Sequence, residues 1–170
     1  MQQTDSTVEE QLRAQRDQMR REHSIGVVRL LKGLHDRLGE PLVAALGDLA
    51  AENARARWSA AAAARDTHTI EDLIALLWEP LRPAGFEYTT GPVAGGVRVV
   101  CTRCPQAEIA AQVEGGAPLL YQMTCATDPH LAAAFNPRIG LRRAKTLMRG
   151  DDCCEFVYFY RDDAGPDPEA

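Results

Sequence analysis

Along the first half of the chain, apolar residues recur at three- and four-residue intervals, the spacing that lines one face of an α-helix. The stretch "STVEEQLRAQRDQMRREH" opens with Ser6 and Thr7, each followed three residues later by Glu9 or Glu10, the reciprocal pairing that caps a helix start. Charges crowd this helix, which predicts a wet outer face. After Gly26 the pattern turns apolar: Val27, Leu30, Leu31, Leu34 and Leu38 repeat at helical spacing and are expected in the core. Pro41 opens a second, Ala-rich helix to about Arg65, with Leu42, Leu46, Leu49 and Trp58 as its buried stripe. A third helix begins near Thr69, where Asp72 can reach back to the cap, and ends before Pro80 and Pro83.

The period then changes. "FEYTTGPVAGGVRVVCT" holds two short β-rich runs separated by Gly and Pro, which predicts a hairpin. "CPQAEIAAQV" reads as a short helix with Pro105 at its first position. "APLLYQMTCATDPHLAAAF" is either a helix ending near Cys125 and another starting at Asp128 and Pro129, or one helix kinked by the proline. "RIGLRRAKTLMRGDDCCEFVYFYR" reads as two strands joined by a tight Gly-Asp turn. The fold expected is α+β, a helical N-terminal half packed on a small antiparallel sheet of about four strands with further short helices. Its boundaries are one domain over residues 1–161, mainly helical to residue 79 and hairpin-helix-helix-hairpin from residue 80, with 162–170 as a disordered, solvated tail.

At 170 residues the chain suits one well-buried domain. The net charge of −5 argues against a nucleic-acid partner, which wants clustered Lys and Arg. No apolar run approaches the roughly 18 to 20 residues that span a bilayer, and the N-terminus lacks a cationic start before an apolar segment. A cytoplasmic protein without membrane attachment is expected, and the amphipathic helical half offers a surface for a homodimer or complex.

Five cysteines, Cys101, Cys104, Cys125, Cys153 and Cys154, all lie in the second half. In a reducing compartment such thiols are buried, metal-bound or catalytic rather than disulfide-paired. Strand alternation sends Cys153 and Cys154 to opposite faces, and Cys154 shares its face with Phe156, Tyr158 and Tyr160, so it is the interior candidate. Cys104, just before Pro105, occupies a helix cap, where free backbone N–H groups lower a thiol's pKa. Cys125 lies three residues before Asp128; either that carboxylate caps the next helix, or thiol and carboxylate converge on one pocket. His130, in the first turn of that helix, is expected at the surface. Zinc is the alternative use of the thiols, with Cys101, Cys104, Cys125 and Cys154 as ligands, but the adjacent pair points apart and no second knuckle is present.

Taken in order, Cys104-Pro105, Cys125 with Asp128, Asn136-Pro137, Lys145-Thr146-Leu147, and Gly150-Asp151 with Cys154 and Phe156 form a pattern over residues 100–160. It resembles that of the L-2-amino-thiazoline-4-carboxylic acid hydrolase family. The resemblance implies hydrolysis at a cyclic amidine carbon, opening a thiazoline-type C–N ring to give an N-carbamoyl cysteine, with no cofactor. On this reading Cys125 attacks, Asp128 carries the proton, Cys104 is a second site thiol, and Cys154 lines the opposite wall. Arg143 and Lys145, alternating with Ile139, Leu141 and Leu147, are candidates for a substrate carboxylate, and Asn136 and Asp151 complete the substrate-binding set. Asp128 can also activate water directly, leaving the cysteines as wall. The closing hairpin is similar to that of 4-vinyl reductase domains, which implies a small-molecule-binding module instead. A third reading is an enzyme of secondary metabolism that closes or eliminates at a small ring.

Overall fold

The structure, a computed structural model, describes residues 2–161, with side chains from Val8 onward. The tail expected at 162–170 lies outside the described residues. Helix α1 (Gln2–Leu38) runs unbroken through Gly26 and Gly33. It starts ahead of Ser6 and Thr7, so the capping pattern falls inside the helix rather than at its end. Its expected core is corrected by one position: Val28 is 1% exposed, whereas Leu30 and Leu38 are 65% and 57% exposed. Val27, Leu31 and Leu34 are half-buried. A helix packed along one stripe buries one stripe, and Leu30 lies about 200° round the axis from Val28. Val8, Leu12 and Met19 share that exposed outer side.

Gly39, at φ 66°, turns the chain into α2 (Glu40–Ala63), which carries Pro41 in its first turn. Ala51 and Trp58 are its buried residues. Leu42 and Leu46 are half-buried, and Leu49, expected in the core, is 57% exposed. Helix α3 (Ile70–Trp78) starts as its sequence predicts: the Thr69 hydroxyl accepts from the Asp72 backbone N–H at 3.2 Å, and the Asp72 carboxylate accepts from the Thr69 N–H at 2.9 Å. Pro80 and Pro83 then fall in a 3₁₀ stretch, Glu79–Ala84, closed by Gly85 at φ 92°.

Four strands, β1 (Glu87–Val93), β2 (Gly96–Arg103), β3 (Ile139–Lys145) and β4 (Cys154–Tyr160), pair antiparallel in the order β1-β2-β4-β3. The fold is therefore α+β, as expected. Between the hairpins lie α4 (Pro105–Ala110), α5 (Gly116–Met123) and α6 (Asp128–Phe135). The two-helix alternative is the one realised, because a 3₁₀ turn, Cys125–Thr127, separates α5 from α6. The β3–β4 connection is not a tight turn; it holds a 3₁₀ turn, Leu147–Arg149, followed by Gly150 at φ 92°.

One face of the sheet carries the core. Val99, Cys101, Cys154, Phe156 and Tyr158 pack with Trp58 from α2, Leu73 and Trp78 from α3, and Leu131 and Phe135 from α6. The helical half and the sheet thus share one cluster. Strand β4 fixes α3 at both ends, since the Tyr160 hydroxyl accepts from the Ile70 N–H at 3.2 Å and the Tyr158 hydroxyl accepts from Trp78 Nε1 at 3.1 Å. Among the described residues, no helix is long and apolar enough to cross a membrane.

Candidate active site

Where α2, the Glu79–Ala84 stretch, the start of α4, the α5–α6 turn and β4 approach one another, they leave a cavity of about 550 Å³. Four thiols line it: Cys101 on β2, Cys104 at the start of α4, Cys125 in the α5–α6 turn and Cys154 on β4. Leu46, Trp58, Leu77, Trp78, Met123 and Phe156 supply apolar wall, and Asp128 is its one carboxylate among the described residues. A larger open groove, about 680 Å³, runs along α1 from Leu12 to Ser24, but no thiol or carboxylate lines it.

Strand alternation places the sulfurs. On β4, Cys154, Phe156 and Tyr158 are buried while Cys153 and Glu155 turn the other way, as the sequence predicts. Cys101 is the cross-strand partner of Cys154 and faces the same side. Cys154 is held: its Sγ accepts from the Leu147 N–H at 3.3 Å and donates to the Thr146 hydroxyl at 3.6 Å. Cys101 donates to the Arg103 carbonyl at 3.1 Å.

Burial holds Cys101, Cys104 and Cys125 above the ordinary thiol range. Burial pushes Cys104 up to about 11, although the backbone N–H groups of Ala107 and Gln106 pull it down. The lowered pKa expected from its cap position is corrected accordingly: α4 spans six residues, and loss of water outweighs its short row of dipoles. Burial takes Cys101 to about 12. Cys125 is also raised, by burial first, with the Thr124 hydroxyl opposing and the Asp128 carboxylate adding to the rise.

Asp128 does not cap α6; its carboxylate turns to the cavity wall instead. Arg143 Nη1 donates to Asp128 Oδ2 at 2.5 Å and to the Cys125 carbonyl at 2.8 Å, while Nη2 donates to the Tyr121 hydroxyl at 2.7 Å. Their side chains are 11% and 17% exposed for Arg143 and Asp128. Burial pushes the Asp128 carboxyl up to about 7, with the Arg143 guanidinium pulling the other way. A group balanced there exchanges protons readily at neutral pH.

The other sequence candidates stand outside the cavity lining. Lys145, expected on the same strand face as Arg143, pairs instead with Asp152 at 3.0 Å on the outer side. A bulge between Arg143 and Lys145 breaks the alternation that would have turned it inward. Asn136 ties two segments, donating to the His68 carbonyl at 2.7 Å and accepting from the Arg138 N–H at 2.9 Å. Asp151 accepts from the Thr146 N–H at 2.7 Å within the β3–β4 connection. His130 is exposed beside Arg55, as expected. Among the described residues, no group of three or more His, Cys, Asp or Glu side chains is placed to hold a metal ion.

The family model of L-2-amino-thiazoline-4-carboxylic acid hydrolase matches residues 18–158. The chain belongs to that family. The match takes in α1 from Gln18 and all of α2, the helical half in which the sequence alone shows no family motif. No curated protein matches the chain. Among solved structures, the fold is similar to the phenol-responsive sensory domain of the transcription activator PoxR with phenol, at 16% identity and TM-score 0.55, over 83% of this chain and 78% of that one. It is also similar to trafficking protein particle complex subunit 3 from Naegleria fowleri, covalently bound to palmitic acid, at 10% identity and TM-score 0.50, over 82% and 95%. At these identities the likeness is one of fold.

Within this family member, two groups beside the motif residues were not placed in the substrate site by the sequence, where Cys101 stands only as a zinc ligand. Cys101 follows Val97 and Val99 at alternate positions, so the period of two already pointed it inward. Tyr121, which receives a hydrogen bond from Arg143, carried no comparable signal on its short helix.

Proposed function

We propose that this cavity is the active site of a hydrolase that adds water to the ring carbon of a cyclic amidine of the 2-amino-thiazoline class, with Asp128 as the proton carrier. One observation carries this reading: a carboxyl group in the wall of a thiol-lined cavity, balanced by Arg143 so that both protonation states are accessible at neutral pH. The substrate enters with its amidine protonated. Ionised Asp128 takes a proton from water as the oxygen bonds to the carbon between sulfur and nitrogen, and the C=N electron pair settles on nitrogen. The C–S bond of the tetrahedral intermediate then breaks, Asp128 returns its proton to the sulfur, and the hydroxyl proton passes to solvent as the carbonyl forms. Substrate and water together account for every atom of an N-carbamoyl cysteine.

Cys125 as nucleophile needs one step more, since burial keeps it a thiol and it must first give its proton to Asp128. Turnover of 2-amino-thiazoline-4-carboxylate by two variants separates the routes. Asp128→Asn is expected to lose about 10²–10⁴-fold in kcat, and Cys125→Ser to stay within about tenfold if water attacks directly. The wild-type kcat/KM should rise with pH through about 7, because the base form of Asp128 is the active one. An Asp128→Asn variant that turns over at the wild-type rate ends the proposal.

A second reading is favoured by the apolar lining and by the fold likeness to a sensory domain with phenol: a ligand-binding module without turnover. Saturable phenol binding by a wild type that hydrolyses no thiazoline would select it.

A further inference from the structure

The mouth of the cavity is marked by the lining residues that remain exposed, Leu49, Asn53 and Arg57 on α2 and Pro80 opposite. Asn53 and Arg57 are one helical turn apart, so both side chains reach the same opening. Among the described residues, Arg57 is the one Lys or Arg that lines the cavity, and it makes no hydrogen bond or ion pair there. The guanidinium of Arg143 lies deeper and is already engaged by Asp128, Tyr121 and the Cys125 carbonyl. An acid group of a ligand placed at the deep end would therefore meet the Asp128 carboxylate, with the Gln106 amide as a neutral donor and no free cation. At the mouth it would meet an unpaired fork of N–H donors with an amide beside it.

Between mouth and depth the wall is apolar, built from Leu46, Leu77, Leu81, Phe86 and Trp78. A five-membered ring with a carboxylate directly attached spans little of 550 Å³, a volume in the range of sites for drug-sized ligands. We propose that Arg57 anchors the acid group of the ligand at the cavity mouth, and that the ligand is a carboxylic acid with an extended apolar body that carries the reacting amidine ring to the thiols and Asp128. The proposal rests on reading this cavity as the ligand site.

The chain has two tryptophans, Trp58 and Trp78, and both line the cavity, so intrinsic fluorescence reports on its occupancy. Titration at pH 8 with octanoate and with octan-1-ol tests the claim without any turnover. Octanoate should quench saturably in the wild type. Arg57→Leu should weaken octanoate about tenfold while leaving octan-1-ol within about twofold, and Arg57→Lys should recover part of the loss. Unchanged octanoate binding in Arg57→Leu overturns the proposal, as does equal weakening of both probes, which would make Arg57 a packing residue, or absence of saturable quenching by octanoate in the wild type. The hydrolase reading is decided by turnover of the Asp128 variant, so the two fail on different measurements.

Discussion

Cys104 stands at the start of α4, where a sulfur gains from free backbone N–H groups, and yet its thiol is pushed up to about 11. The difference is set by water: a short helix offers partial charges, and the cavity wall removes full solvation from the thiolate. Iodoacetamide labelling followed by peptide mass analysis is therefore expected to be slow at Cys104 and Cys125 at pH 7.5, and at Cys104 to climb without a plateau below pH of about 10. A Cys104 rate that levels off below pH 8 contradicts this. Asp128→Asn should speed Cys125 above pH 7, because the ionised carboxylate raises that thiol, and leave Cys104 as it was. Much of this site was legible residue by residue. Alternation alone turned Cys154 inward and would have turned Cys101 with it, and the spacing of Cys125 and Asp128 put thiol and carboxylate on one turn. Arg57 was not legible, because an arginine on an Ala-rich helix looks like any solvent-facing charge until a cavity opens beside it.

Elements decide what alternation cannot. Arg143 and Lys145 are two residues apart and should face alike, but the bulge between them turns Arg143 to Asp128 and Lys145 to Asp152. A bulge leaves no mark in hydrophobic periodicity, so the sequence placed both cations on one side. The capping box at Thr69, by contrast, is written in local residue types and was read correctly. What holds α3 against the sheet is a pair of tyrosine hydroxyls on β4 two residues apart, one for each end of the helix. Tyr158→Phe leaves the Trp78 indole N–H buried without its acceptor and should cost about 1–3 kcal/mol. Tyr160→Phe frees a first-turn N–H nearer solvent and should cost about 0.5–1.5 kcal/mol. Urea unfolding of the two variants checks the order; a Tyr160→Phe loss equal to or larger than that of Tyr158→Phe would show that burial is not what makes the Trp78 bond matter.

For the molecule as a whole, the helices-then-sheet order was visible in the change of period near residue 80, while the stripe that α1 buries was not, because its leucines lie on more than one side. The same whole-molecule view ties the site to stability. Asp128 in the fold titrates near 7 against an ordinary 3.8, so over that interval the unfolded chain has released a proton that the folded chain keeps. Stability from this group is full below about pH 3.8 and is lost as pH rises through about 7. Asp36, Asp72 and Asp152 act oppositely: hydrogen bonds hold them low, so their contributions exist above 3.8 and vanish in acid. The raised thiols add a third window, since an unfolded chain ionises them above 9 and the fold does not. Asp128→Asn removes the middle window and otherwise touches only the thiol window, through Cys125. The difference in Tm, variant minus wild type, should therefore climb between pH 4 and 7 and level off by about pH 8, whatever constant cost the variant carries from leaving Arg143 without its carboxylate. The gap between 3.8 and about 7 corresponds to about 4 kcal/mol at most, and at about 2–4 °C per kcal/mol for a chain of this size the climb should be several degrees. A difference that stays constant across pH 4 to 7 would mean that Asp128 is ionised throughout, and with it would go the proton carrier on which the hydrolytic reading depends.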